Sequence, residues 1–146
     1  MTEREKFKEA ARDRFEDAKV LFEGNRIDAS FYIIGYSLEC ITKFIILYIY
    51  GYKQIEQHKK IKKHIDEPDD FITELNIVEK KSRNIRKMQL NNLLIKKTKI
   101  LLKKFNDLDW KVEIRYNKDF KREKYINEKS SIFSDIEFLI KKLNFL

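Results

Sequence analysis

Two charged residues lie inside the most apolar stretch of the sequence. Glu39 and Lys43 fall within residues 29–50, where most side chains are hydrophobic. They are four residues apart with the acid first, which is the order that favours an ion pair along one face of a helix. Because an unpaired carboxylate is costly to bury, Glu39 either pairs with Lys43 or faces a groove. In the second case the two residues would bind a ligand.

A second group with chemical potential is the neighbouring pair Arg115 and Tyr116. A guanidinium presents a rigid fork of donors that matches a phosphate or a carboxylate, so Arg115 could clamp such a ligand. Alternatively, Arg115 pairs with Glu39 or Asp28 and fastens its segment to the core. We keep Arg115 and Tyr116 as candidate ligand-binding residues and as weak catalytic candidates.

The histidines and the cysteine do not form a metal site. His58 and His64 are six residues apart, so one helix would not place both on the same face. The single Cys40 cannot build a thiolate site for zinc and is expected to be a buried, unreactive thiol. His64 precedes an acidic turn, which favours a hydrogen bond at a helix end. Phosphate-binding loops, dinucleotide fingerprints and nucleophile elbows are missing from the sequence. We therefore predict no metal and no cofactor.

Positive charge is concentrated in one part of the chain. The net charge is +8, and residues 80–105 contain ten lysines and arginines but no acidic residue. A helix of this composition could contact phosphates or an acidic partner, or it could simply present a solvated face. The candidate nucleic-acid patch consists of Lys96, Lys97, Lys99, Lys103 and Lys104.

The elements that must position these residues are helices. Hydrophobic residues make up 42% and charged residues 38%, a balance typical of amphipathic helices, and three glycines with one proline leave little material for hairpins. Apolar residues at three- and four-residue spacing predict the main helices. These cover residues 3–23, 28–50, 53–65, 79–105 and 122–143. Asp69 and Asp70 can start one or two further turns that reach Val78.

One segment has a different pattern. Trp110, Val112, Ile114 and Tyr116 alternate with charged residues, which predicts an extended segment at 110–116 with its apolar side chains inward. The chain as a whole is predicted to be one domain, residues 1–146, with an all-α, up-and-down bundle of four to five helices.

The apolar stretch at 29–50 is expected to be a core helix rather than a membrane span. A carboxylate and an amine near its centre would be costly in a bilayer. The first turns are charged where a signal peptide would be apolar, and a single cysteine suits a reducing compartment. We therefore expect a cytoplasmic protein that does not enter a membrane.

The first two predicted helices resemble the first helical hairpin of HEPN domains, the "higher eukaryotes and prokaryotes nucleotide-binding" family. The resemblance rests on residues 17–21, a Gly-Asn turn, and residues 28–43. They reproduce the family's D-A-x-x-L, turn and E-x-x-x-K pattern. The region of His64 and the pair Arg115 and Tyr116 match later landmarks. The resemblance covers about residues 5–143.

The resemblance implies a homodimeric helical bundle, often encoded with a nucleotidyltransferase partner or found in toxin–antitoxin and defence systems. Many members are metal-independent RNases with an Arg-x4–6-His motif. That motif is missing here, because no histidine follows His64 and neither histidine has an arginine five to seven residues before it. We therefore predict a module that dimerises and binds a nucleotide, RNA or a nucleotidyltransferase partner. The carried-over site residues are Glu39, Lys43, Arg115 and Tyr116.

Two alternatives remain open at this point. One is a metal-independent RNase toxin with a degenerate site that uses Arg115, Tyr116 and a lysine such as Lys118. The other is an adaptor bundle whose basic face meets an acidic protein rather than a nucleic acid.

Overall fold

The computed structural model describes residues 1–65, 67–82, 88–111, 114 and 121–146. Within these residues the chain forms five α-helices and no β-strand, so the predicted all-α bundle is confirmed. The helices are α1 (Glu3–Glu23), α2 (Ile27–Tyr50), α3 (Pro68–Ser82), α4 (Met88–Asp107) and α5 (Arg122–Leu143).

Helices α1 and α2 form a closely packed antiparallel hairpin. The turn between them contains Asn25 in a left-handed conformation, with φ of 62°. Ser30 Oγ donates a hydrogen bond to the Ala18 carbonyl and Ser37 Oγ donates to the Ala11 carbonyl, each at 2.7 Å. The two serines are seven residues apart, as are the two alanines, so small side chains recur every second turn and let the backbones approach.

Helix α2 is the central element and packs on all four other helices. By length and composition alone it could cross a membrane, but 67% of its most apolar window is buried inside the bundle. Glu39 and Lys43 are both buried in its middle. It ends at Gly51, whose φ of 75° is the left-handed conformation that terminates many helices. These are the properties of a core helix, as predicted.

Trp110 fixes the chain that follows α4 against α2. Its Nε1 donates a 2.7 Å hydrogen bond to the Phe31 carbonyl, and its side chain is almost completely buried. A Cβ atom at Gly35 would lie 2.1 Å from the indole ring, so only glycine admits the ring at this position. Tyr125 and Phe133 of α5 cover the opposite part of Phe31, with ring centroids 4.9 and 6.0 Å away.

The predictions for α1, α2 and α5 are confirmed, although Asp28 lies in the first turn of α2 rather than at its N-cap. The prediction of a helix over 53–65 is wrong. The chain instead makes two short 3₁₀ turns, at Ile55–Gln57 and Lys59–Ile61. Side chains satisfy the backbone here: Gln57 accepts the N–H groups of Lys53 and Gln54, and Glu3 accepts that of Ile55.

The boundary between the third and fourth helices is also different from the prediction. Helix α3 is longer than the one or two turns expected, and Glu79 belongs to it rather than to α4. Pro68 occupies its first turn, where its missing N–H has no intrahelical partner to lose. Lys80 and Lys81 in its last turn interact favourably with the helix dipole.

The predicted extended segment at 110–116 is only partly described. Trp110 and Ile114 are buried, as expected of inward-facing side chains. Ile114 N–H donates to the Lys111 carbonyl at 3.0 Å, which is the hydrogen bond of a turn rather than of an extended chain. Val112 and Tyr116 lie outside the described residues.

Candidate functional site

Glu39 is the centre of a buried polar cluster. Its Oε1 accepts the Ile65 N–H at 2.8 Å and lies 3.1 Å from His64 Nδ1. Its Oε2 accepts from Lys43 Nζ at 3.3 Å. The Glu39 side chain is only 7% exposed. The i, i+4 pair expected from the sequence is therefore formed, and it also holds the segment that follows the second 3₁₀ turn.

The contact with Glu39 bears on the tautomer of His64, that is, on which ring nitrogen carries the proton. The Glu39 carboxylate accepts hydrogen bonds from Lys43 and from the Ile65 N–H, and with His64 Nδ1 as the donor it accepts a third. In the neutral imidazole this leaves the lone pair on Nε2. The His64 side chain is 59% exposed, and within the described part of the chain no group bonds its Nε2. A buried carboxylate thus orients an accessible imidazole, the arrangement that a general base requires.

Aromatic rings surround this cluster on the same side of α2. The Tyr36 ring meets the His64 ring edge-on with centroids 5.8 Å apart, and the Tyr36 and Tyr32 hydroxyls are 2.9 Å apart. Lys43 Nζ lies 5.7 Å from the centre of the Phe7 ring, and its side chain is 6% exposed. Lys43 is therefore directed at Glu39, and its predicted contact with a ligand stays a prediction.

Cys40 follows Glu39 in α2, and its partial burial beside this carboxylate lowers the reactivity of its thiol. Burial raises the pKa of its thiol to about 11, and the negative charge of Glu39 adds to the increase. Lys43 and Arg14 act in the opposite direction but less strongly. Since the thiolate is the reactive form, the raised pKa lowers the reactivity of Cys40 at neutral pH; the residue is half-buried rather than buried, and its inertness stays a prediction.

A second histidine lies in a cleft that the sequence did not reveal. His58 Nε2 is 3.2 Å from Glu74 Oε2, and both side chains are more than nine-tenths buried. The stacked rings of Tyr50 and Tyr52, with centroids 5.3 Å apart, form one wall of this cleft of about 370 Å³. His58 Nδ1 is buried and has no hydrogen-bond partner among the described residues. Burial and Glu74 raise the pKa of Tyr50.

The five predicted lysines of α4 divide into two groups. Three are tied to acidic residues of the neighbouring helices. These pairs are Lys97 with Asp135 at 3.7 Å, Lys99 with Glu79 at 2.7 Å and Lys104 with Glu128 at 3.8 Å.

The other two lysines, Lys96 and Lys103, are exposed. Neither has a carboxylate partner in the parts of the chain that the structure covers. They are seven residues apart and therefore share one face of α4, which also exposes Leu93 and Ile100.

The chain matches no family model, and no curated protein or solved structure is significantly similar to it. The resemblance of α1 and α2 to a HEPN hairpin therefore stays a prediction.

Arg115 and Tyr116, with Lys118, lie outside the described residues, so their place relative to Glu39 and Lys43 is open to experiment. Among the residues that are described, no group of three or more His, Cys, Asp or Glu side chains is arranged to hold a metal ion.

Proposed function

We propose that this chain is a cytoplasmic, HEPN-like module that dimerises and binds RNA or a nucleotide, alone or with a nucleotidyltransferase partner, in a toxin–antitoxin or defence system. The observation that carries the proposal is the pair of exposed lysines, Lys96 and Lys103, that have no carboxylate partner among the described residues and share one face of α4. The all-α fold and the buried Glu39 and Lys43 pair in α2 support the family assignment.

The electrostatics of α4 favour phosphate over an uncharged partner. Lys96 and Lys103 need no bond broken before they contact a phosphate. The pairs formed by Lys97, Lys99 and Lys104 are partly exposed, and surface ion pairs of this kind contribute about 0–1 kcal/mol. Those three lysines can therefore exchange a carboxylate for a phosphate at a small cost in free energy. All five cations then contribute to one basic face.

RNA binding is tested with the Lys96→Glu/Lys103→Glu double variant and a labelled single-stranded RNA, by fluorescence anisotropy across a salt series. The matched control is Lys6→Glu/Arg12→Glu, which changes the net charge equally on α1, a helix that packs on α2 and α5. We expect the α4 variant to weaken binding at least about tenfold. The salt slope should fall by about 1.4, since each of the two lost phosphate contacts on a single strand contributes about 0.7.

Equal weakening by both double variants would mean that only net charge matters, and would contradict a binding face on α4. Binding that does not depend on salt, or no binding, would favour the adaptor bundle that meets an acidic protein.

Dimerisation is tested by a separate measurement. Light scattering should give twice the chain mass of 17.8 kDa, and a monomer mass at working concentration would contradict this part of the proposal.

The second candidate function is metal-independent RNA cleavage, and the Glu39 and His64 pair is the observation that favours it. His64 Nε2 would remove the proton of a ribose 2′-hydroxyl, whose oxygen then attacks the adjacent phosphorus. A 2′,3′-cyclic phosphate forms, and the 5′-oxygen leaves with a proton from a second group, for which Tyr116 is the candidate, while Arg115 would stabilise the negative charge on the phosphorane oxygens.

Cleavage is tested by incubating labelled RNA with the protein in EDTA. Loss of cleavage in His64→Ala and in Arg115→Ala, but not in the control Lys62→Ala, would support the candidate. Intact RNA at micromolar protein would contradict it and leave the binding function.

A further inference from the structure

The cleft beside the end of α2 has a buried carboxylate in its wall. It has a volume of about 370 Å³ and lies between α2, the segment that follows α2, and α3. This volume is within the range of about 300–1,000 Å³ usual for small-molecule sites. The lining includes Tyr50, Tyr52, His58, Lys60, Glu74 and Ile77. Glu74 is the acidic residue among them, and its side chain is only 8% exposed.

The two carboxylate oxygens of Glu74 differ in their partners. Oε2 lies 3.2 Å from His58 Nε2. Oε1 has Lys60 Nζ at 4.0 Å, which is beyond hydrogen-bond distance, and no residue in the described ranges donates a hydrogen bond to it. A buried oxygen without a donor raises the free energy of the folded chain. Oε1 therefore favours a ligand that brings its own donor.

The electrostatics of the cleft favour a cation. The Glu74 carboxylate is negative, and so are the faces of the Tyr50 and Tyr52 rings. Helix α2 adds the negative end of its dipole, because Tyr50 is its last residue and its last turn contains no basic residue. Lys60 is the lysine of the lining, but its side chain is 75% exposed and its charge is screened by water. An anion would meet the buried carboxylate, whereas a cation neutralises it.

The apolar surface left open in the cleft belongs to Tyr52 and Ile77. The Tyr50 ring is already engaged, because it is stacked on Tyr52 with an angle of 7° between the rings and Lys81 Nζ lies 4.3 Å from its centre. Over the half-buried Tyr52 ring no cation lies within the described part of the chain. Ile77 is 38% exposed. Hydrocarbon that covers these two side chains removes apolar surface from water.

We propose that this cleft binds a primary amine with a small apolar body, with the ammonium donating to Glu74 Oε1 and the hydrocarbon against Tyr52 and Ile77. A primary ammonium suits this oxygen because it carries N–H donors, which a quaternary ammonium lacks. The ligand takes the place of Lys60, whose exposed pair with Glu74 is weak. This inference goes beyond the proposed function, since it involves neither RNA nor α4.

The test is a titration of the isotope-labelled full chain with phenethylamine, followed by amide chemical shifts in NMR spectra. Phenethyl alcohol, hydrocinnamate and phenethyl-trimethylammonium are the neutral, anionic and quaternary arms. We expect the amine to shift the resonances of Tyr52 and Ile77. The three other compounds should bind at least about tenfold more weakly, because each lacks the charge-assisted hydrogen bond to Glu74.

Three variants locate the ammonium. Glu74→Gln should weaken the amine at least about tenfold, since it removes the charge but keeps an oxygen. Glu79→Gln is the matched control, because it removes the same charge from α3 outside the cleft and should not weaken binding. Lys60→Ala should tighten binding about twofold by removing a competing ammonium. Circular dichroism confirms that each variant is folded, and the gain in Lys60→Ala does not depend on the stability of Glu74→Gln.

Four results would overturn the inference. The amine does not bind at millimolar concentration, or one of the three other compounds binds as tightly. Glu74→Gln and Glu79→Gln weaken the amine equally, or Lys60→Ala weakens it. None of these results changes the RNA measurement on Lys96→Glu/Lys103→Glu. Failure of the cleft and failure of the basic face of α4 are therefore distinguished by separate ligands and separate variants.

Discussion

Helices α2 and α3 each present a glutamate to a histidine of the segment that joins them, and the two pairs are built in opposite ways. In the first, the Glu39 side chain is 7% exposed and that of His64 is 59% exposed. In the second, Glu74 and His58 are 8% and 9% exposed. The residue types and the separations of 3.1 and 3.2 Å are nearly the same. Burial of the histidine is what differs.

The hydrogen bonds of the two glutamates explain the consequence of this difference in histidine burial. Glu39 receives three donors, so its carboxylate is satisfied with or without the imidazole. His64 is therefore free to take part in chemistry at Nε2. Glu74 depends on His58 and on Lys60, whose Nζ is 4.0 Å away, and the buried Nδ1 of His58 has no hydrogen-bond partner among the described residues. The first pair anchors a loop and exposes an imidazole, whereas the second fastens the loop to α3.

The largest effect is expected from Glu39→Ala. The substitution removes the acceptor of the Ile65 N–H and leaves the buried Lys43 ammonium without its partner, which costs about 3–5 kcal/mol for a buried pair. Urea denaturation measures the loss in the free energy of unfolding. The control is Glu137→Ala, whose pair with Lys141 lies on the surface and should leave stability unchanged. If the two variants were equally stable, Glu39 would not be the centre of the cluster.

The sequence predicts one half of this cluster and misses the other. The spacing of Glu39 and Lys43 is local, so the i, i+4 rule was enough to find their pair. The contact of Glu39 with the His64 and Ile65 region depends on the path of residues 51–65. Sequence periodicity assigned that segment to a helix, but side chains from α1 and from Gln57 bond its backbone instead. No local pattern reports a tertiary bond such as that between Glu3 and Ile55.

The packing of Trp110 shows the same limit of sequence-based prediction, over a larger separation in the chain. Its burial was predicted from the alternation of apolar and charged residues, but the partner was not. Gly35 is 75 positions earlier in the chain, and nothing near it indicates that an indole ring replaces its side chain. Likewise, the turns expected up to Val78 include Glu74, but the contact of Glu74 with His58 depends on the path of residues 51–65, which no local pattern reports.

His58→Ala is expected to have the second-largest effect. The variant leaves the Glu74 carboxylate buried, with Lys60 at 4.0 Å as its one remaining partner among the described residues, and an unsatisfied buried group costs about 1–3 kcal/mol. Thermal and urea unfolding should both show the loss. Lys60→Ala is the control, because that lysine side chain is 75% exposed. A stable His58→Ala variant would mean that the pair does not fasten the loop.

His64→Ala should have a smaller effect than His58→Ala, below about 1 kcal/mol. The imidazole is exposed, and Glu39 keeps both Lys43 and the Ile65 N–H. The same urea series measures it. The expected order is therefore Glu39 above His58 above His64. A loss in His64→Ala as large as that in Glu39→Ala would make the imidazole a structural element and would remove the reason to assign it the role of a base.

The smallest effect concerns Cys40, whose alkylation rate reports on the first pair. Burial, and secondarily Glu39, raises the pKa of its thiol from the ordinary 9.0 to about 11. The raised pKa favours the folded state fully below pH 9, and this contribution is lost as the pH rises from 9 to 11. Alkylation of the folded protein should therefore be slow at pH 8 and increase about tenfold per pH unit up to pH 10.

Glu39→Gln separates the two causes of that shift. Removal of the negative charge lowers the pKa of Cys40 and increases its alkylation rate at pH 8, while burial keeps the rate below that of the urea-unfolded chain. The unfolded chain is the control for the intrinsic reactivity of the thiol. If Glu39→Gln reacted as fast as the unfolded chain, charge rather than burial would protect the thiol. The face of α2 beside Glu39 would then be open to water, and the contrast between a buried carboxylate and an exposed histidine would no longer hold.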